Sequence, residues 1–155
     1  MPLLSLHSPV GDLTLFEEDG ALVALDWGWG ADQAPSALLE EACSQLHAYF
    51  DGTRTHFDLP FSPQGTDHQK AIWAAISTVP YGTTISYKEL AEKTGSVARA
   101  AGGACGANPL PILIPCHRIL AADGKLTGYS GEGGVETKQA LLRLEGVNIP
   151  HQLDL

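Results

Sequence analysis

The sequence predicts an α+β protein. A small N-terminal α/β domain spans residues 1–65, including a linker at 60–65, and a mainly helical C-terminal domain with a helix-turn-helix spans residues 66–155. Three observations carry that prediction. Short alternating apolar runs fill the first 27 positions, a proline-containing segment divides the chain, and two capping boxes follow it.

Runs at 3–7, 13–17 and 21–27 alternate with period two. Pro9-Val10-Gly11 and Asp19-Gly20 separate them as turns, which predicts an antiparallel meander. A helix is expected over 37–50, where Leu38, Leu39, Ala42, Cys43, Leu46, Tyr49 and Phe50 recur at helical spacing and Gly52 stops the element. Cys43 lies on that apolar stripe and reads as inert core. Residues 56–59 offer a fourth strand, and Pro60-Phe61-Ser62-Pro63-Gln64-Gly65 reads as the linker.

In the second part, Thr66-Asp67-His68-Gln69 and Ser86-Tyr87-Lys88-Glu89 each match a capping box, so helices should begin near Asp67 and Tyr87. Pro80-Tyr81-Gly82 breaks the chain between them, and a third helix should begin near Val97 after Gly95-Ser96. The last two form the helix-turn-helix pattern, a weak signal by itself because many small domains contain such a pair. On the third helix, Val97, Ala100, Ala101, Ala104 and Cys105 make an apolar stripe, which makes Cys105 structural. Arg99, Gly102, Gly103 and Gly106 fall mostly on the other face. Each glycine there costs roughly 1 kcal/mol relative to alanine. Two readings are compatible with that bare face: close approach of another backbone, or tight packing against a neighbouring helix.

Composition narrows the classes. The length of 155 residues suits one compact domain or two small ones, with enough chain to bury a core. No run approaches the roughly 20 apolar residues that span a bilayer. Met1-Pro2-Leu3-Leu4-Ser5 lacks the basic-then-apolar order of a secretory signal. Cys43, Cys105 and Cys116 are widely spaced, with no C-x-x-C pair. That argues against a disulfide framework or zinc finger and fits reduced thiols in a cytoplasm. The net charge of −9 is uneven, since residues 1–65 carry ten acids and one base while residues 66–155 carry eight of each. If the chain binds DNA, the neutral second part should do it, without a strong grip on phosphates. Nothing calls for a cofactor, a metal, a membrane or an obligatory oligomer, so a cytoplasmic monomer is expected.

The chemical centre is Asn108-Pro109-Leu110-Pro111-Ile112-Leu113-Ile114-Pro115-Cys116-His117-Arg118. Three prolines frame what reads as a short apolar strand delivering a cysteine into a turn beside a histidine. A nearby base or cation favours the thiolate and makes cysteine a nucleophile at neutral pH. An adjacent Cys-His pair also arises by coincidence, and two ligands without spaced partners do not make a metal site. Glu145 lies inside the apolar arc of a helix expected over 135–146. It reads either as a glutamate snorkelling at the helix end or as a buried partner that holds the histidine in place.

With those residues in view, Pro115-Cys116-His117-Arg118-Ile119 resembles the signature of the O6-alkylguanine-DNA alkyltransferases, the methylated-DNA–protein-cysteine methyltransferases. Thr66-Asp67, Pro80-Tyr81-Gly82, Ser86-Tyr87, Arg99-Ala100-Ala101-Gly102-Gly103-Ala104, Asn108-Pro109 and Gly128-Tyr129-Ser130-Gly131 are similar as well, in the same order. The resemblance is dense over 66–147; residues 1–65 resemble ribonuclease H only in outline. It implies irreversible, single-turnover transfer of a methyl or other alkyl group from O6-alkylguanine in double-stranded DNA to Cys116, with O4-alkylthymine left open as a second substrate. It further implies that His117, held by Glu145, takes the thiol proton through a water, that Asn108 braces the turn, and that Tyr87 hydrogen-bonds the departing base. Ser130 would face the base oxygen, the carbonyls of Cys116 and Ile119 would receive its amino group, and Pro111 and Tyr129 would wall the pocket. Arg99 would enter from the minor groove to replace the flipped nucleotide, with Gly102 and Gly103 along the groove. Chemistry on a stacked base requires extrusion, and wedging is a minor-groove strategy.

Two positions depart from the family pattern. His68 stands where an aromatic phenylalanine is usual and reads as a hydrated surface histidine; Thr127 replaces a glycine found in some members and could narrow the pocket. Arg118 belongs to the signature but receives only structural support as a role. Two other classes compete. A non-enzymatic helix-turn-helix regulator or lesion-binding protein leaves the Cys116 cluster unexplained, and a cysteine hydrolase needs an oxyanion hole that the sequence does not supply.

Overall fold

The computed structural model describes residues 1–121, 124, 126 and 134–148, and the chain divides into two compact units between Gln64 and Gly65. In the first unit, β1 (Leu3–Leu6), β2 (Leu13–Glu18) and β3 (Ala21–Trp27) form an antiparallel sheet in that order. Asp19 and Gly20 both take positive φ, which suits the two-residue turn joining right-twisted strands. The meander buries Leu6, Leu13, Leu15, Leu22 and Leu25. Helix α1 (Ala37–Phe50) packs on β1 and β2 through a stripe of Leu39, Ala42, Cys43, Leu46, Tyr49 and Phe50, and Ser36 caps its start by accepting from Leu39 N–H.

The fourth strand expected at 56–59 does not form. The chain meets β3 only at a bridge between Leu22 and Phe61, where Leu22 N–H donates to Pro60 and Ser62 N–H donates to Leu22. Two causes are visible. The Asp58 N–H is taken by Gln45 Oε1 at 2.9 Å, and Pro60 and Pro63 have no N–H to offer a ladder. Residues 60–65 are therefore more than a linker, since Pro60, Phe61 and Ser62 edge the sheet.

In the second unit, α2 (Asp67–Ile76), α3 (Tyr87–Thr94) and α4 (Ala98–Gly106) pack on one another, and the buried Trp73 Nε1–H donates to Ala104 C=O at 2.8 Å. Both capping boxes are made, Thr66 with Gln69 and Ser86 with Glu89. Gly95 ends α3 at φ 67° and turns the chain into α4, with Ser96 N–H returning to Ala91 C=O. Val97 is a correction to the expected apolar stripe: it caps α4 and stands 66% exposed. Strand β4 (Ile85–Ser86) pairs in parallel with β5 (Ile119–Leu120), so Tyr87 at the start of α3 is fixed beside the segment that follows Cys116. Helix α5 (Val135–Leu144) stops before Gly146, the expected end, and Glu145 caps it. Among the described residues no helix is long and apolar enough to cross a membrane.

Candidate active site

Asn108 organises the approach to Cys116. Its Nδ2 donates to Ile114 C=O at 2.9 Å and its Oδ1 accepts Leu110 N–H at 2.9 Å, while Ile114 N–H returns to Leu110 C=O at 2.8 Å. The apolar strand expected here is a tight loop instead, with a bridge between Pro111 and Ile114. Pro109, Pro111 and Pro115 remove three backbone donors, so no ladder can run through it. Ile112 is held at φ 73°, a left-handed conformation that costs a β-branched residue roughly 1–3 kcal/mol. The buried amide of Asn108 holds that strain in place. The loop feeds Cys116, His117 and Arg118 into one 3-10 turn, all three buried.

Glu145 is the hub of the charge arrangement. It is 6% exposed, which rules out the snorkelling reading. His117 Nε2 lies 2.7 Å from its Oε2, Arg118 Nε donates to Oε1 at 2.8 Å and Nη2 to Oε2 at 3.0 Å, and Gly82 N–H donates to Oε1 at 3.1 Å. Arg118 also donates from Nη1 to Val79 C=O at 2.8 Å. Gly82 is required there: its φ is 77°, and a Cβ would lie 3.2 Å from the Glu145 carbonyl oxygen. Because a carboxylate can only accept, we assign the hydrogen to Nε2 of His117, which leaves Nδ1 as the lone-pair nitrogen of the neutral ring. That Nδ1 is buried and has no hydrogen-bond partner among the described residues. Burial lowers the His117 pKa below 6.5 despite the opposing pull of Glu145, with Arg118 and Lys138 adding to the lowering. At neutral pH the ring is therefore a neutral base, oriented by a carboxylate whose charge Arg118 balances.

The three cysteines differ in surroundings. Burial pushes the Cys43 thiol up to about 11 with help from Glu40, and pushes Cys105 up to about 12, so neither is a nucleophile at neutral pH. Cys116 is buried in the same turn as His117 and Arg118. Arg99 is exposed on α4. Among the described residues, a Cβ on Gly103 or Gly106 would meet nothing within 4 Å, and one on Gly102 would make ordinary contact with the Tyr87 ring at 3.9 Å. Internal packing therefore does not demand this glycine face, and tight helix packing falls away as its reason. His68 is exposed, as expected, with Nε2 2.9 Å from Ser96 Oγ in the connection to α4.

The chain is similar to known proteins over nearly its whole length. The family profile described as 6-O-methylguanine DNA methyltransferase, DNA binding domain, matches residues 67–147, and the one described as its ribonuclease-like domain matches residues 4–63. The methylated-DNA–protein-cysteine methyltransferase of Mycobacterium tuberculosis is 42% identical over 163 residues, covering 97% of this chain and 96% of its own. The chain belongs to the 6-O-methylguanine DNA methyltransferase family. A protein of the same name from Methanosarcina barkeri is 42% identical over 154 residues, covering 93% of this chain and 96% of its own. The crystal structure of Mycobacterium tuberculosis OGT in complex with DNA matches with a TM-score of 0.85 at 42% identity, covering 99% of this chain and 98% of that one.

For a chain of this methyltransferase family, the structure gathers Cys116, His117, Asn108, Pro111, Ile119 and Glu145 around one buried turn, with Tyr87 tied to it through β4 and β5. Arg99, Gly102 and Gly103 lie on α4, with Arg99 and Gly103 exposed and Gly102 half-buried. Thr127, Tyr129 and Ser130 lie outside the described residues. The structural support expected of Arg118 takes the form of its pair with Glu145, and Lys138 is the residue that sequence reading misses. Lys138 is 1% exposed, donates from Nζ to Ile119 C=O at 2.6 Å, and stands 5.7 Å from the centre of the Tyr87 ring. Its signal was available: Lys138, Leu141, Leu142 and Glu145 recur at helical spacing, so the stripe that marked the glutamate also marked the lysine.

Proposed function

We propose that this chain repairs DNA by transferring a methyl or other alkyl group from O6-alkylguanine to Cys116, irreversibly and once per molecule. The observation that supports it most is the neutral, buried His117, bonded to Glu145 through one nitrogen and presenting the other as a base within the Cys116 turn. His117 takes the thiol proton on Nδ1 through a bridging water. The Cys116 sulfur then attacks the alkyl carbon, an S–C bond forms, the C–O6 bond breaks, and its electron pair returns to the base oxygen. Tyr87 hydrogen-bonds the departing base. The carbonyls of Cys116 and Ile119 receive its amino group and Pro111 walls the pocket; the family resemblance alone adds Tyr129 to that wall and Ser130 opposite the base oxygen. The Ile119 carbonyl also accepts from Lys138, and its second lone pair leaves room for both.

The partner is double-stranded DNA approached from the minor groove by a monomer. Arg99 fills the gap left by the flipped nucleotide, while Gly102 and Gly103 allow the backbone of α4 close to the groove. Residues 66–155 are the alkyltransferase and DNA-binding domain, residues 1–65 the accompanying α/β domain, and the working compartment is the cytoplasm. Incubating the protein with duplex DNA containing one O6-methylguanine, then weighing the intact chain, tests this reading. A permanent gain of one methyl group per chain is the expected result. An unchanged mass would instead indicate a lesion-binding regulator, and product release without lasting mass gain would indicate a hydrolase.

A further inference from the structure

A fold does not need a cation at position 138. The neighbouring turns of α5 fill the same stripe with Leu141 and Leu142, both fully buried, and an ammonium placed there is costly unless something compensates it. The compensation is arranged around the reactive turn. The Cys116 carbonyl accepts the Ile119 N–H, and the Ile119 carbonyl accepts Lys138 Nζ, so two consecutive hydrogen bonds tie the ammonium to the segment carrying the nucleophile. The Tyr87 ring from α3 faces the same nitrogen, and Cys105 of α4 and Cys116 both interact electrostatically with it. His117 feels its charge too. The remaining titratable groups of the cluster, Arg118 and Glu145, pair with each other and contribute little net charge.

We propose that Lys138 is a positioning residue of the transfer reaction, a buried ammonium anchored on the Ile119 carbonyl that stands as countercharge to the Cys116 thiolate. This rests on Cys116 being the alkyl acceptor. His117 removes the thiol proton, and Lys138 holds the electron pair left on sulfur in its ionised form until the alkyl carbon arrives. No bond to Lys138 forms or breaks. Burial lowers the lysine's own pKa, and the charges of both thiols oppose that lowering. Cys105 shares the field, but its thiol is held at about 12, so the charge acts where a base is at hand.

The test needs no DNA. The rate at which iodoacetamide labels Cys116, mapped by peptide mass, is followed against pH in the wild type, Lys138→Gln and Lys138→Arg, with melting curves run in parallel. Removing the charge should move the reactive midpoint of Cys116 up by about one pH unit, so that labelling on the acid side of that midpoint slows about tenfold, while arginine restores most of the rate. Unchanged profiles in both variants would overturn the proposal, and so would equal loss in both at every pH. A second measurement on the wild type covers a variant that does not fold. Lys138, observed by nitrogen-15 NMR, should titrate at lower pH after Cys116 is methylated with methyl iodide, because its anionic partner is gone; an unmoved titration would refute the pairing. A chain that passes both tests yet gains no methyl from O6-methylguanine DNA would keep this inference and lose the proposed substrate.

Discussion

Cys43 on α1 and Cys116 in the 3-10 turn are both withdrawn from water, at 9% and 4% exposure, yet they occupy opposite chemical settings. Around Cys43 the α1 stripe offers leucines and aromatic rings, and burial with nearby Glu40 pushes the thiol up to about 11. Around Cys116 the chain gathers His117, Arg118, Lys138 and Glu145. Burial alone makes a thiol inert. Reactivity at a buried site needs a base and compensated charges, and those are expensive to bury unless each has a partner. The first unit buries neutral, hydrogen-bonded polar side chains such as Ser5, Thr14 and Gln45, whereas the second buries a cluster of charged groups that a purely structural core would omit.

The largest expected effect tests that contrast directly. Cys116→Ser should abolish transfer while leaving the melting temperature and most DNA binding in place, because serine keeps the size but ionises at far higher pH. Cys43→Ser and Cys105→Ser should each retain transfer, at some loss of stability. Mass mapping of the reacted wild type should find the alkyl group on Cys116, and finding it on Cys43 or Cys105 would collapse the comparison.

The second prediction concerns the charge balance. Arg118→Met leaves Glu145 buried without its cation, which should cost about 3–5 kcal/mol of stability in a denaturant titration. It should also change the pH dependence in a fixed direction. Arg118 helps keep the His117 pKa below 6.5 and balances the carboxylate that pulls it up. Without the arginine, His117 holds its proton to higher pH and is a free base over a narrower range. The acid limb of the transfer rate should therefore move to higher pH. An acid limb that stays in place would confine Arg118 to structural support.

Arg99→Ala should act on a different step. If the side chain fills the gap left by a flipped nucleotide, its loss is felt only where a base must be unstacked, at a cost of a few kcal/mol. Repair of duplex DNA should slow far more than reaction with free O6-benzylguanine base. Equal slowing on both substrates would remove Arg99 from the flipping step.

How much of this was legible in the sequence depends on the kind of signal. Helix starts at Asp67 and Tyr87 were readable because a capping box is a local code, and both boxes are made. The false strand at 56–59 failed because its competitor is distant in sequence: Gln45, thirteen residues earlier, takes the Asp58 N–H and C=O. The apolar run at 110–114 suggested a strand, but proline chemistry and the Asn108 amide made a loop. In the site, Glu145 was legible as a carboxylate on an apolar stripe. Arg118 was not, because its worth lies in a pair that only the meeting of α5 with the Cys116 turn creates. Lys138 is legible by the same stripe, three and four residues before Leu141 and Leu142.

The smallest expected effect separates glycines that serve the fold from glycines that serve a partner. Gly82 belongs to the first kind: its φ of 77° strains any side chain, and a would-be Cβ would stand a tight 3.2 Å from the Glu145 carbonyl oxygen. Gly82→Ala should therefore destabilise the protein and slow transfer from every substrate. Gly103 lies on the exposed face of α4, where a Cβ would meet nothing within 4 Å among the described residues. An interior helical glycine is typically worse than alanine by roughly 0.5–1 kcal/mol, so Gly103→Ala should raise the melting midpoint by a few degrees. The same methyl group would stand between α4 and any backbone lying against it, so duplex repair should slow while reaction with the free alkylated base keeps its rate. Melting curves and paired rates on the two substrates decide the matter. A lowered midpoint would return Gly103 to the fold, and a raised midpoint with undiminished duplex repair would take the DNA off this face of the helix.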